Sequence, residues 1–85
     1  MKKLIYIVPM KFTALNSNKF IKKGSTIHTF IGAYALEYDA MKAIIDRKET
    51  DSKLDFDGTI YSWTDKDGDI DYAFEARIET TMLYE

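Results

Sequence analysis

The clearest pattern of apolar and polar positions lies near the end of the chain. Between residues 69 and 82, apolar side chains alternate with charged ones. The apolar positions are Ile70, Tyr72, Phe74, Ala76, Ile78 and Met82, and the charged positions are Asp69, Asp71, Glu75, Arg77 and Glu79. A period of two predicts a long strand with one packed face and one wet face. A strand over residues 59–64 and a turn over residues 65–68 precede it.

The first third of the chain also favours strands. Residues 3–12 have apolar side chains on both faces, which predicts a well-covered strand, and Pro9 predicts an edge or a bulge. Residues 25–34 are rich in β-branched and aromatic residues, which favours a second strand. Residues 20–21 suit a short strand that leads into a tight turn at residues 22–24.

Residues 35–48 have the one helical pattern. A polar face of Asp39, Lys42 and Asp46 stands opposite an apolar face that includes Ala40 and Ile44. Residues 49–58 are predicted to form an acidic loop. The fold class is therefore α+β, as a single domain over residues 1–85. We expect a twisted antiparallel sheet of four to five strands with one helix packed on one face, in β-β-α-β-β order.

Composition excludes several classes of function. The chain has 85 residues and no cysteine, which rules out disulfides, thiolate metal sites and cysteine nucleophiles. The apolar run that begins at Leu4 ends at Pro9, too early for a signal peptide, and no stretch is long enough to span a membrane. These features predict a cytoplasmic protein that makes no membrane contact.

Charge is distributed unevenly along the chain. Residues 1–36 contain six lysines and no acid, whereas residues 49–85 contain eleven acids and three basic residues. This asymmetry indicates an electrostatic partner, or two oppositely charged surfaces on this protein. The alternative is that basic and acidic strands lie side by side in one sheet and neutralise each other.

The basic segment is the first candidate site. We predict that it contacts RNA or another polyanion, because lysines neutralise phosphates and an exposed aromatic ring stacks on unpaired bases. The predicted nucleic-acid-binding residues are Lys11, Lys19, Phe20, Lys22 and Lys23. Phe12 and Phe20 are also compatible with a place in the core.

The acidic final strand provides the alternative. Asp69, Asp71, Glu75 and Glu79 form a row that could dock on a basic protein as a nucleic-acid mimic does. A third interpretation is a module that only self-assembles. A small core and a proline-containing strand favour a homodimer or a larger closed ring.

No catalytic or metal-binding motif is present. The run from Asp65 to Asp71 lacks the glycine and glutamate spacing of a calcium loop, so a solvated turn is favoured. His28 is the only histidine and is expected to be half-buried in a strand. We therefore predict a protein that is not an enzyme, with no catalytic residue, no metal site and no cofactor.

The stretches MKKLIYIVPMKF at residues 1–12 and YSWTDKDGDIDYAFEARIE at residues 61–79 are rich in lysine, isoleucine, tyrosine and aspartate. In this composition the chain resembles small accessory and anti-defence proteins of T4-type tailed phages. Many such proteins block host defence or toxin systems, some of them with bound RNA. The resemblance implies an inhibitor of a host or defence enzyme, with a host protein as its target. It matches no motif, so it assigns no residue.

Overall fold

Strand β1 (Lys2–Ala14) pairs with three other strands in the computed structural model, which describes residues 2–48 and 53–84. Along one edge it pairs antiparallel with β2 (Thr26–Tyr34). Along the other edge it pairs with β5 (Ile70–Arg77) and β6 (Glu79–Tyr84). β4 (Ile60–Asp67) adds to β5, and the two-residue β3 (Asp55–Phe56) adds to β4.

The prediction of an α+β fold with an antiparallel sheet and one packed helix is confirmed. The predicted strand number and order are wrong. In the described residues, six strands form one sheet in the spatial order β2-β1-β5-β4-β3, with β6 beside β1. Along the chain the elements follow each other as β-β-α-β-β-β-β. Residues 20–21 lie in a loop, and β3 was expected to be loop. Residues 49–52 of the predicted acidic loop lie outside the described residues.

The predicted long final strand is divided into β5 and β6 at Ile78, opposite Val8 and Pro9. The pairing register is the same on both sides of the break, since Met10 lies opposite Ala76 and Ile7 opposite Glu79. The register between β1 and β2 also shifts between Val8 and Pro9. Proline has no amide hydrogen to donate, which suits the place where both ladders are interrupted. The bulge expected at Pro9 is therefore confirmed, although β1 is not an edge strand.

Full burial is confined to one face of β1, which corrects the expectation that both faces are well covered. The even-numbered side chains Val8, Met10 and Ala14 are buried, whereas Ile5 and Ile7 are half-buried. Helix α1 (Glu37–Arg47) packs on the even-numbered face through Ala40 and Ile44. Trp63 and Ala76 complete this core. We call the opposite face, which the helix does not cover, the open face.

The β4–β5 hairpin is closed by a two-residue turn at Gly68 and Asp69. Gly68 has a φ of 65°. A positive φ at the first of two turn residues suits the tight turns that join antiparallel strands, and glycine adopts it without steric strain. The turn therefore lies later than the predicted 65–68, and the run from Asp65 to Asp71 is part of a hairpin.

Asp57 orders the entry into β4 by a local turn. One of its carboxylate oxygens accepts hydrogen bonds from the amides of Ile60 at 2.7 Å and Thr59 at 2.8 Å. These bonds favour the charged form, so the Ile60 amide first and the Thr59 amide second lower the pKa of Asp57 below its ordinary 3.8.

This turn predicts a pH dependence that an Asp57→Asn variant reports. The carboxylate accepts stronger hydrogen bonds than a neutral amide oxygen does, so wild type should be the more stable protein at neutral pH. Because the folded pKa is lowered, this advantage is complete above the ordinary pKa of 3.8 and is lost as the pH falls through the folded pKa. Urea unfolding of both proteins between neutral pH and acid checks it. A stability difference that stays constant with pH would contradict the role given to the carboxylate.

Candidate nucleic-acid interface

The loop that joins β1 to β2 carries most of the predicted polyanion-binding residues. We call residues 15–25 the lysine loop; it contains Lys19, Phe20, Lys22 and Lys23. It begins where β1 ends at Ala14, and backbone hydrogen bonds between Ala14 and residues 24–25 close its base. The predicted tight turn is confirmed, because the Ser25 amide donates to the Lys22 carbonyl, with Gly24 at a φ of 91°.

Asn18 holds the tip of the lysine loop in one conformation. Its side-chain oxygen accepts hydrogen bonds from the amides of Phe20 at 2.9 Å and Ile21 at 2.7 Å. Its side-chain amide donates to the Asp69 carboxylate at 2.8 Å. The Ser17 hydroxyl accepts a further bond from the Lys23 amide. The tip is therefore bonded internally and also tied to the β4–β5 turn.

Asn16 makes a second tie between the loop and the hairpin. Its amide donates to the Asp69 carbonyl at 3.0 Å, and its side-chain oxygen accepts from the Asp71 amide at 2.8 Å. Below these polar contacts, Ile21 packs against the cluster of Ala14, Ile70 and Tyr72. No pattern in the sequence indicates these bonds, which join residues more than fifty positions apart.

Phe20 is the most exposed large apolar side chain in the described structure. It is 86% exposed, and the Lys19 ammonium lies 5.9 Å from its ring centroid. Phe12 instead faces the core, with its ring centroid 5.3 Å from those of Tyr72 and Phe74. Of the two phenylalanines that the sequence left open, only Phe20 is available to a partner.

The five predicted polyanion-binding residues do not lie together. Lys19, Phe20, Lys22 and Lys23 share the lysine loop and are all exposed. Lys11 lies on the open face, where its ammonium is 3.3 Å from the Glu75 carboxylate, directly across from it on β5. Within residues 2–48 and 53–84, the lysines of the loop form no ion pair. Charge is thus neutralised within the sheet at Lys11 but not in the loop.

Three of the four residues of the predicted acidic row have an internal partner. Glu75 pairs with Lys11, Glu79 pairs with Arg77, and Asp69 accepts from Asn18. Asp71 is exposed at the hairpin end and lies opposite Lys66. The acidic hairpin end and the lysine loop are therefore neighbours at one end of the sheet and not two distant patches.

The open face carries a groove that the sequence did not reveal. Its volume is about 610 Å³, and its lining includes Pro9, Lys11, His28, Phe30 and Arg77. His28 is exposed there, which corrects the expectation that it is half-buried. Lys11 and Arg77 of the groove are each paired with a carboxylate, Glu75 and Glu79 respectively. The groove therefore lacks the uncompensated positive charge of the lysine loop.

Comparisons with known proteins add no identification. No family model, no curated protein and no solved structure matches this chain. The described residues contain no helix of the length and apolar character needed to cross a lipid bilayer. The geometry of the lysine loop is therefore the main indication of what this protein binds.

Proposed function

We propose that this protein is a small non-enzymatic binding protein whose lysine loop contacts single-stranded RNA or a similar polyanion. Lys19, Lys22 and Lys23 neutralise phosphates, and Phe20 stacks on an unpaired base. Lys11 contributes less than the sequence suggested, because Glu75 already offsets its charge.

The exposure of Phe20 in an ordered loop is the observation that carries the proposal. A ring that is 86% exposed adds nothing to the core and leaves its face free to stack on a base. The hydrogen bonds of Asn16 and Asn18 fix the backbone that presents it. A preorganised loop loses little conformational entropy on binding, which favours affinity.

The neighbouring acids favour a single strand over duplex DNA. Asp69 and Asp71 lie beside the loop, so the positive surface is narrow and flanked by negative charge. A narrow basic tip next to a stacking ring suits one flexible strand better than the two phosphate rows of a duplex.

The inhibitor role remains a further proposal. The resemblance to phage accessory proteins implies a host or defence enzyme as the target, and bound RNA would be part of that complex. Docking through the acidic row is the less supported mode, because three of its four carboxylates already have internal partners.

A titration of labelled oligouridine at several salt concentrations tests RNA binding. Three lysines in contact with phosphates predict a slope of log K against log salt of about −2, from roughly −0.7 for each phosphate on a single strand. A Lys22→Glu, Lys23→Glu double variant should lose most of this slope and most of the affinity at low salt, while it unfolds at the same urea concentration as wild type.

A matched control is a Lys42→Glu, Lys53→Glu double variant. It changes the net charge by the same amount at exposed positions outside the lysine loop, so its affinity should stay close to that of wild type. Equal losses of affinity in the two double variants would mean that binding depends on the net charge alone and not on the position of the lysines. Affinity that is absent at low salt, or indifferent to salt, would exclude polyanion binding.

A further inference from the structure

The far end of the sheet from the lysine loop consists of only two strands. The pairing of β2 with β1 ends at Tyr6, and the pairing of β5 with β1 extends only to Met10. Beyond Tyr6, residues 2–5 of β1 pair with β6 alone. We call residues 2–5 and 80–84 the ribbon. Among the described residues, neither strand of the ribbon has a partner on its outer edge.

The ribbon is apolar for a surface element. Leu4 and Met82 lie directly opposite each other and are 43% and 46% exposed. Leu83 and Tyr84 are also exposed. Leu4 and Met82 continue the face on which Val8 and Met10 are buried, so the core surface of the sheet extends into solvent here.

The chain exposes more surface than a compact monomer of its size. A monomer of 9.9 kDa should expose about 5200 Å², whereas this chain exposes 6078 Å². Its radius of gyration is 14.6 Å, against about 12 Å for a compact chain of this length. The excess, roughly 900 Å², is spread over the whole chain and leaves enough surface for contact with a second copy, since a standard interface takes ~800 Å² from each partner.

Charge and backbone geometry distinguish β6 from the open edges of β1 and β2. Symmetric pairing through β1 would bring Lys2 and Lys3 of two copies together. β2 has the register shift opposite Val8 and Pro9, and such bulges protect an edge from further pairing. Thr80–Tyr84 contains no charge, no proline and no register shift. Along Thr80–Tyr84 a second copy therefore meets no like charge, and the charge of Glu79 at the start of β6 is already offset by Arg77.

We propose that two copies of this chain associate through the outer edges of β6, as antiparallel strands related by a two-fold axis. Met82 faces Met82 of the second copy, and Thr80 lies opposite Tyr84. This register joins the exposed apolar faces of the two ribbons into one continuous strip on the same side of the extended sheet, with the same patch used on both copies. The interface does not depend on RNA binding, because the ribbon and the lysine loop lie at opposite ends of β1.

A cysteine-free chain permits a direct test by single cysteine substitutions. Directly opposed residues of antiparallel strands have Cα atoms about 4.5–5.5 Å apart, within the range that a disulfide spans. Under mild oxidation Met82→Cys should therefore form a covalent dimer. The matched control is Phe30→Cys, an exposed position on the β2 edge, which should remain uncrosslinked.

Sedimentation of the unmodified chain completes the test. Wild type should sediment at twice its monomer mass of 9.9 kDa in the micromolar range. Met82→Lys should sediment as a monomer with an unchanged circular dichroism spectrum, and Phe30→Lys should remain a dimer. A monomeric wild type would overturn the proposal. So would a dimer that Phe30→Lys dissociates and Met82→Lys does not, since that result would place the interface on β2.

Discussion

An Ile44→Ala variant is expected to unfold with a free energy about 3 kcal/mol below that of wild type. Ile44 is the largest fully buried side chain of the helix and packs in one cluster with Val8, Met10 and Trp63. Truncation removes three carbon atoms from that cluster and leaves a cavity that a rigid sheet cannot close. A domain of this length has a total stability of roughly 4–13 kcal/mol, so the loss is a large share of it.

Ile45→Ala is the matched control for this prediction. It makes the same chemical change one residue later in the same helix, at a position that is 41% exposed. The helix propensity changes equally in both variants, so the difference between them reports packing alone. Urea denaturation should show a loss below about 1 kcal/mol for Ile45→Ala. Similar losses at both positions would mean that the helix does not pack on the sheet through Ile44.

The final third of the chain shows what the sequence could predict. Alternation along residues 69–82 predicted which side chains face the core, and Ile70, Tyr72 and Ala76 are indeed buried. This inference succeeds because a strand with one buried face must place apolar side chains at every second position. The helix was predicted over residues 35–48 and occupies Glu37–Arg47, with no side-chain cap at Leu36 to mark its start.

The errors in the predicted fold arise where pairing between distant residues decides the structure. The break at Ile78 has no signal in its own segment and lies opposite the interruption at Pro9, about seventy residues earlier. The two residues of β3 become a strand only because β4 lies beside them. The fully buried side chains of β1 lie on its even face only, although both faces carry isoleucine or valine, because the one helix of the described residues covers that side.

Residue types in the sequence predicted the candidate interface, and the three-dimensional structure then narrowed it to the residues of the lysine loop. A lysine-rich segment without acids drew attention to lysines that the fold places in an exposed loop, but it could not reveal that Glu75 lies across from Lys11. Nor could it show that Asn16 and Asn18 reach the β4–β5 turn. The sequence also gave no basis for separating Phe12 from Phe20, since both lie beside lysines. The structure separates them, since Phe12 lies in the core and Phe20 in solvent.

Phe12→Ala and Phe20→Ala are expected to have opposite consequences. Phe12 contacts the rings of Tyr72 and Phe74 in the core, so its loss should lower the free energy of unfolding by about 3 kcal/mol. Phe20 lies in solvent, so its loss should change stability by less than about 0.5 kcal/mol. The loss of one stacked base should weaken RNA binding by about 1–3 kcal/mol, which is roughly 5-fold to 150-fold.

Urea denaturation and the oligouridine titration, applied to both variants, separate these effects. Phe20→Trp serves as the rescue variant, because a larger aromatic face should restore stacking while an aliphatic Phe20→Leu should not. If Phe20→Leu bound RNA as well as wild type, the ring would act only as an apolar contact. If Phe20→Ala bound as well as wild type, the lysines alone would account for attraction to a polyanion. Phe20 would then have no part in RNA binding.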